Sequence, residues 1–305
     1  MRTRRYGIRT TATLLALAAA ASPLAATEDS VRPRSFEVQV HGSGPPVILI
    51  PGLSCSPAVW EETIDALAAE FELHAVSLAG FGGSPFIEGP LLPRVRDELV
   101  AYVREQRLCR PALVGHSLGG FLAFWLEASE PELFGPMIAV DGVPFLPALR
   151  DPGTGEEAQR AGAERMRAMM ASLSPEQFSM QNRLSLQAMI TDPDDVERIA
   201  AVSARSAPAA VAQALYELMT TDLRDDVAAI QAPVLLIAPA SPGDLGEALR
   251  VRYEAQLDLI ADHETLWIDG TRHFVMLDAT EQFLAAVRSF LGPGASGAAC
   301  AGGSR

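Results

Sequence analysis

The fold of this 305-residue chain is decided by one stretch, Gly115-His116-Ser117-Leu118-Gly119. An apolar run from Pro111 leads into the stretch, and a run with helical spacing as far as Glu127 leads out of it. Ser117 therefore falls at a predicted strand-to-helix turn of the G-x-S-x-G type, in which glycines allow the backbone to close tightly. Ser117 is a candidate nucleophile. The N–H of Leu118, at the start of the helix, is a candidate donor to an anion.

Strand and helix patterns alternate on both sides of Ser117. Short apolar runs bounded by turn residues predict buried strands, at residues 47–50, 73–78, 111–115, 135–140, 233–238 and 265–268. Amphipathic runs separate most of them. Such alternation favours an α/β fold with a mostly parallel, twisted sheet and helices on both faces. We predict that residues 34–142 and 232–292 form this core.

Between these two parts, residues 143–231 contain no strand pattern. Four amphipathic helices are predicted instead, at about 155–172, 175–190, 193–205 and 207–220. The segment is interpreted as a helical cap inserted after the strand that ends at Asp141 and lying over the carboxyl edge of the sheet. Its six methionines either fill the core of the insert or give its underside a soft apolar surface.

Both ends of the chain are predicted to lie outside the fold. Four arginines precede an apolar run at 12–21, and small residues follow, so residues 1–26 are interpreted as a signal peptide of a secreted or periplasmic protein. The apolar run is too short to span a membrane comfortably, and no stable membrane anchor is expected. Residues 293–305 are rich in glycine and alanine and are predicted to be a disordered tail.

Charge and cysteine content narrow the choice of partners. The formal net charge is −14 and no lysine is present, which argues against binding to nucleic acid. Cys55 and Cys109 are predicted at opposite edges of the sheet, too far apart for a disulfide. No His, Cys and carboxylate cluster has metal-ligand spacing, and no phosphate-binding loop occurs. We therefore expect a small-molecule substrate, with no metal and no cofactor.

A serine hydroxyl needs a base to accept its proton. His273 lies in the loop after the last predicted strand, which brings it to the same sheet edge as Ser117. The order of nucleophile first and histidine last is that of Ser–acid–His hydrolases, so His273 is the predicted general base. His41 and His74 lie on predicted strands, and His116 is expected to point away from Ser117.

Four stretches resemble the α/β-hydrolase superfamily, in its capped serine esterase and lipase branch. They lie at residues 42–52 (GSGPPVILIPG), 77–84 (SLAGFGGS), 115–120 (GHSLGG) and 271–278 (TRHFVMLD). The resemblance extends from about residue 36 to residue 292, with the insert as the divergent part. It implies a serine hydrolase that forms an acyl-enzyme on Ser117.

One departure from the family pattern concerns the oxyanion hole. Pro51-Gly52 stands where the family usually has His-Gly. Because the donor that follows is a backbone N–H, the resemblance still implies an oxyanion hole formed by the N–H groups of Leu53 and Leu118. Trp60 and Phe81 are expected to line the acyl side of the pocket.

The second departure concerns the acid of the triad. The usual place, a few residues after Ile237, holds no carboxylate. Asp141 ends the strand after the nucleophile helix, a place that some capped relatives such as the haloalkane dehalogenases use. Asp244 comes later and opens a predicted helix, where aspartate is favoured as a cap. The two residues are the candidates for the acid, with Asp141 preferred.

The resemblance implies hydrolysis of a small, apolar carboxylic ester. A C–C hydrolase, a lactonase and a perhydrolase use the same triad and are alternatives within the enzymes. A hydrolase homologue that only binds a ligand is the alternative of another class, and it would be expected to lack the nucleophile or the base. Haloalkane chemistry is excluded because it requires a carboxylate in place of Ser117.

Overall fold

The described residues, 35–240 and 243–292 of the computed structural model, form one seven-stranded sheet with its helices. The predicted signal peptide and the predicted tail lie outside these residues. The strands are β1 (Phe36–Gly42), β2 (Pro46–Ile50), β3 (Glu72–Leu78), β4 (Ala112–His116), β5 (Met137–Val140), β6 (Val234–Ala240) and β7 (His263–Asp269).

The strand order is β1-β3-β2-β4-β5-β6-β7. Only β1 pairs antiparallel among these strands, so the predicted mostly parallel α/β sheet is confirmed. β4 lies at the centre, with Gly115 opposite Ile50 on one side and Ala139 on the other. The carboxyl ends of β2, β4, β5 and β6 therefore share one edge of the sheet.

Helices cover both faces. Their bounds within the described residues are α1 (Glu61–Leu67), α2 (Leu92–Gln106), α3 (Leu118–Ser129), α4 (Glu156–Ala171), α5 (Pro175–Met189), α6 (Pro193–Ser203), α7 (Pro208–Thr220), α8 (Gly243–Glu254), α9 (Val275–Asp278) and α10 (Thr280–Leu291).

Alternation along each strand produces two hydrophobic cores. In β2, Ile48 and Ile50 pack with α2 and α3, whereas Val47 and Leu49 pack with α1 and α10 on the other face. Because both faces of β2 are buried, the strand is a continuous apolar run, as expected for a parallel sheet with helices on each side.

The insert between β5 and β6 contains α4 to α7 and, within the described residues, no strand. α4 packs against α7, and α5 packs against α6. Three of these helices begin at a proline, where the fixed φ suits the first turn and the missing N–H is not needed. The insert is joined to the core by Glu217 of α7, whose buried carboxylate accepts hydrogen bonds from the N–H groups of Leu91 and Leu92 at the start of α2.

Cys55 is a buried free thiol, and its pKa is raised to about 12 by burial. Cys109 is disulfide-bonded. The expectation that these two cysteines do not pair with each other is confirmed. Among the described helices, none combines the length and the apolar character that a membrane crossing requires.

Candidate active site

Ser117 occupies the sharp turn between β4 and α3. Its φ of 54° and ψ of −115° lie in a sparsely populated region, which costs about 1–3 kcal/mol and persists only where the surroundings impose it. A Cβ at Gly115 would lie 2.2 Å from the carbonyl oxygen of Gly119, and a Cβ at Gly119 would lie 2.1 Å from that of Ile50. Both glycines are therefore required by close approach, as the G-x-S-x-G pattern predicts.

His273 follows β7 and pairs with the carboxylate at the end of β5. Its Nδ1 lies 2.5 Å from Oδ2 of Asp141, whose side chain is only 7% exposed. The N–H of Asp141 donates to the carbonyl of Ile237 at 2.8 Å, which fixes the backbone of Asp141 to the next strand. Since Nδ1–H donates to the carboxylate, the other ring nitrogen, Nε2, is the one available to accept a proton.

Ser117 and His273 line the same cavity. Ser117 Oγ makes no hydrogen bond within the described part of the chain. Catalytic hydrogen bonds are often long without substrate and shorten in the reacting complex. Of the two acid candidates, Asp141 is hydrogen-bonded to His273. Asp244 belongs to the first turn of α8, and its side chain is not among those that the structure describes.

The hydroxyl of Tyr253 contacts the carboxylate from the opposite side. Tyr253, on α8, is 5% exposed and donates a hydrogen bond to Oδ1 of Asp141. Burial, and then the charge of Asp141, hold the pKa of this phenol well above its ordinary value, so it remains a proton donor. Sequence reasoning missed Tyr253, because a tyrosine on the inner face of a helix is indistinguishable by pattern from an ordinary core residue.

His116 supports the loop that carries His273. Its Nε2 lies 3.1 Å from the carbonyl oxygen of His273, and the two ring centroids are 4.6 Å apart. Burial, and then the nearby His273, place the pKa of His116 well below its ordinary value. His116 is therefore a neutral donor to the backbone of His273, and its Nδ1 lies against Gly52 without a hydrogen-bond partner among the described residues.

The two backbone donors predicted for the oxyanion hole lie in the segments that follow β2 and β4. Leu118 is the first residue of α3, and Leu53 follows the end of β2 and lines the cavity. Neither N–H donates to any acceptor that the structure describes. The conformation of the Leu53 loop is set by Ser54, which has a φ of 61° and hydrogen-bonds through Oγ to the hydroxyl of Ser206 at 3.1 Å.

The cavity has a volume of about 320 Å³ and lies between the core and the insert. Its apolar lining from the insert comprises Leu146, Met170, Phe178, Leu186, Met189, Val211, Leu215 and Leu218. Gln181, Asn182 and Ser185 of α5 are the polar residues that the insert contributes. No arginine among the described residues lines the cavity.

Trp60 and Phe81 do not line this cavity, and the expectation that they do is corrected. Trp60 is fully buried and stacks on Phe283 of α10, with ring centroids 6.2 Å apart. Phe81 is fully buried in the core on the opposite face of the sheet. Both side chains are buried in the two cores, and the apolar lining of the cavity comes mainly from the insert. Within the described residues no group of His, Cys, Asp and Glu is placed to hold a metal ion.

Comparison with known proteins identifies the family. The model of the alpha/beta hydrolase family matches residues 47–286. The pimeloyl-[acyl-carrier protein] methyl ester esterases of Aeromonas salmonicida and Aeromonas hydrophila are 31% and 30% identical to the chain, over 274 and 275 residues. Each alignment covers 85% of this chain and 100% of the relative. The crystal structure of a hydrolase from Pseudomonas aeruginosa PA01 superposes with a TM-score of 0.70 at 21% identity, covering 84% of this chain and 94% of that one.

The chain therefore belongs to the alpha/beta hydrolase family. Within that family, the relatives assign it to the carboxylic ester hydrolases.

Proposed function

We propose that the protein hydrolyses small, apolar carboxylic esters through an acyl-enzyme on Ser117, with His273 as general base and Asp141 as the acid. The observation that carries this proposal is the 2.5 Å contact between Asp141 and His273, whose ring lines the cavity that also contains Ser117 at its strained turn. A base oriented by a carboxylate beside a serine at a strand-to-helix turn is the arrangement used for acyl transfer.

The reaction proceeds in two halves. Ser117 Oγ attacks the ester carbonyl while Nε2 of His273 accepts its proton, and the N–H groups of Leu53 and Leu118 stabilise the negative oxygen of the tetrahedral intermediate. The intermediate collapses as His273 protonates the departing alcohol. A water molecule, deprotonated by His273, then attacks the acyl-enzyme, and the acid leaves with Ser117 restored.

The size and apolar lining of the cavity suit an uncharged acyl group of modest size. Its volume of about 320 Å³ is at the lower end of the range of roughly 300–1,000 Å³ that small-molecule pockets occupy. The relatives are named for the methyl ester of a carrier-bound acyl chain, so we include methyl esters of medium-length acids among the proposed substrates.

The test uses the purified full chain with p-nitrophenyl acetate, butyrate and octanoate, with methyl esters, and with a serine-directed fluorophosphonate. We expect turnover, and a covalent adduct located on Ser117 by mass spectrometry. The control Ser117→Ala should abolish both. Absence of turnover together with absence of labelling would refute the proposal and favour a ligand-binding homologue.

Two matched variants test the assignment of the acid. Asp141→Ala should lower kcat by about 10⁴-fold, since the base loses both its orientation and the stabilisation of its cation. Asp244→Ala should leave kcat within about twofold. The reverse order of effects would assign the acid to Asp244.

We also propose that the enzyme is exported. The N-terminal pattern of residues 1–26 supports this, as does the disulfide at Cys109, a bond typical of proteins outside the cytoplasm. Fractionation of cells that express the full chain with a C-terminal tag should find it in the periplasm or medium, with cleavage after Ala26. Full-length protein confined to the cytoplasm would contradict export.

A further inference from the structure

The carboxylate of Asp141 has a hydrogen-bond partner on each oxygen. His273 Nδ1 lies on Oδ2, and the hydroxyl of Tyr253 lies on Oδ1. With a side chain only 7% exposed, Asp141 has little access to water that would replace either partner. The two partners come from separate elements, the loop after β7 and the helix α8, so the carboxylate is held from both sides by independent parts of the fold.

One ring contact and an anchor of its helix hold Tyr253 in place. Its ring meets Trp267 of β7 edge to face, with centroids 5.6 Å apart and planes at 90°. One residue earlier, Arg252 donates to the carbonyl of Leu149 at 2.8 Å, which ties α8 to the turn that follows β5. A buried ring held in this way presents its hydroxyl at one position, and that position lies on Asp141.

We propose that Tyr253 is a positioning residue for the hydrolysis, which holds the Asp141 carboxylate in the rotamer that orients His273 and shares the negative charge that His273 experiences. This inference rests on the proposed function. A carboxylate with a single partner rotates about its Cβ–Cγ bond, whereas one with a partner on each oxygen does not. The family resemblance places the acid in the connection between β6 and α8. Here α8, the helix after that connection, supplies a hydrogen-bond donor to Asp141, which directly follows β5.

The proposal predicts a specific electrostatic effect. A hydroxyl that donates to a carboxylate stabilises its negative charge. Without the hydroxyl, the charge of Asp141 acts more strongly on the ring of His273, which changes the pH dependence of the reaction. The titratable groups that contact this pair are Tyr253 on Asp141 and, on His273, the buried neutral His116. No other ionisable side chain in the described ranges is hydrogen-bonded to either residue.

The test compares Tyr253→Phe with Tyr102→Phe. Tyr102 is a matched control because it is 7% exposed and its hydroxyl also bonds a titratable group, Nδ1 of His74 at 2.8 Å, outside the cavity. On p-nitrophenyl butyrate, Tyr253→Phe should lower kcat by about 10- to 100-fold with KM unchanged within about twofold. It should also raise the midpoint of the acid limb of kcat/KM by about 0.5–1 pH unit. Tyr102→Phe should lose similar thermal stability and keep both kinetic properties.

A double-mutant cycle separates positioning from a general structural role. In an Asp141→Asn background, adding Tyr253→Phe should change kcat by less than about twofold, because the hydroxyl acts only through the carboxylate. Independent, multiplicative losses would overturn the inference, as would a Tyr253→Phe enzyme with wild-type kcat and pH profile. Those results leave the ester hydrolysis of the wild type intact, whereas failure of the proposed function removes turnover and Ser117 labelling from the wild type itself.

Discussion

The replacement of Glu217 by alanine tests how the insert is held on the core. Glu217 lies on α7 and is 7% exposed. Its carboxylate accepts from the N–H of Leu91 at 3.0 and 3.2 Å, from the N–H of Leu92 at 2.7 Å and from Nε2 of Gln213 at 2.6 Å. The N-cap residue of α2, Leu91, has no side chain that could cap the helix. Glu217, which belongs to the insert, therefore caps it instead.

The expected loss of stability follows from the two backbone N–H groups, of Leu91 and Leu92, that would lose their acceptor. Each buried N–H left without a partner costs about 1–3 kcal/mol, so two cost about 2–6 kcal/mol. Water that enters the space left by the side chain recovers part of this. We expect Glu217→Ala to lower the free energy of unfolding by about 3 kcal/mol, a factor of roughly 150 in the equilibrium constant. Glu217→Gln keeps one acceptor oxygen and should lose about half as much.

Urea unfolding followed by circular dichroism measures this loss. With a slope of about 3 kcal/mol per molar, the midpoint of Glu217→Ala should fall by about 1 M. Glu197→Ala is the control, since Glu197 on α6 makes an exposed ion pair with Arg183 and should cost less than about 1 kcal/mol. Equal midpoints for the two alanine variants would refute the idea that a buried carboxylate caps α2.

Three other perturbations have defined outcomes. Glu127 is fully buried without a hydrogen-bond partner in the described residues, and burial raises its pKa to about 8, so protonation favours the folded state. Its contribution to stability is complete below pH about 4.5 and is lost as pH rises towards 8, so the free energy of unfolding should fall over this range. Glu127→Gln should remove this pH dependence in urea titrations, and an unchanged pH dependence would contradict the assignment. Gly119→Ala places a Cβ 2.1 Å from the carbonyl that ends β2, so fluorophosphonate labelling of the soluble protein should be lost, whereas Gly155→Ala, with nothing within 4 Å of its Cβ, should label normally. Ser206→Ala removes the hydroxyl that accepts from Ser54 at 3.1 Å, so the loop of the oxyanion donor loosens and kcat should fall by about 3- to 10-fold; an unchanged kcat would show that this loop needs no such support.

The parts of the fold that the sequence predicts well are those with local signals. The prolines at 175, 193 and 208 are the first residues of α5, α6 and α7, because proline suits a first helical turn whatever lies around it. The turn at Ser117 also has a local signal in its two glycines, although Gly119 is required by its close approach to Ile50 on β2 and only Gly115 by a neighbour in the sequence. The position of His273 follows from strand order, because a loop at the carboxyl end of a parallel strand reaches the same edge as the others.

The misplaced and missed residues are those whose roles depend on distant partners. Trp60 and Phe81 lie beside loops of the site, and only tertiary packing decides that they turn into the two cores. Tyr253 is 112 residues from Asp141 along the chain, and Glu217 is 126 residues from Leu91. No spacing rule in a single sequence links residues so far apart, and the residue types alone are typical of a helix interior or surface.

The register of the sheet sets the separation of the proposed nucleophile and acid. The N–H of Ser117 donates to the carbonyl of Val140 on β5, and the N–H of Asp141 donates to the carbonyl of Ile237 on β6, both at 2.8 Å. Each residue thus extends the hydrogen-bonding ladder by one step beyond its strand, and each then turns with a positive φ. Ser117 and Asp141, the proposed nucleophile and acid, therefore lie at neighbouring strand ends of the sheet, whereas the apolar lining comes mostly from the insert. Substitutions in α5 and α7 should consequently change which ester is preferred while leaving the reactivity of Ser117 towards a small phosphonate unchanged.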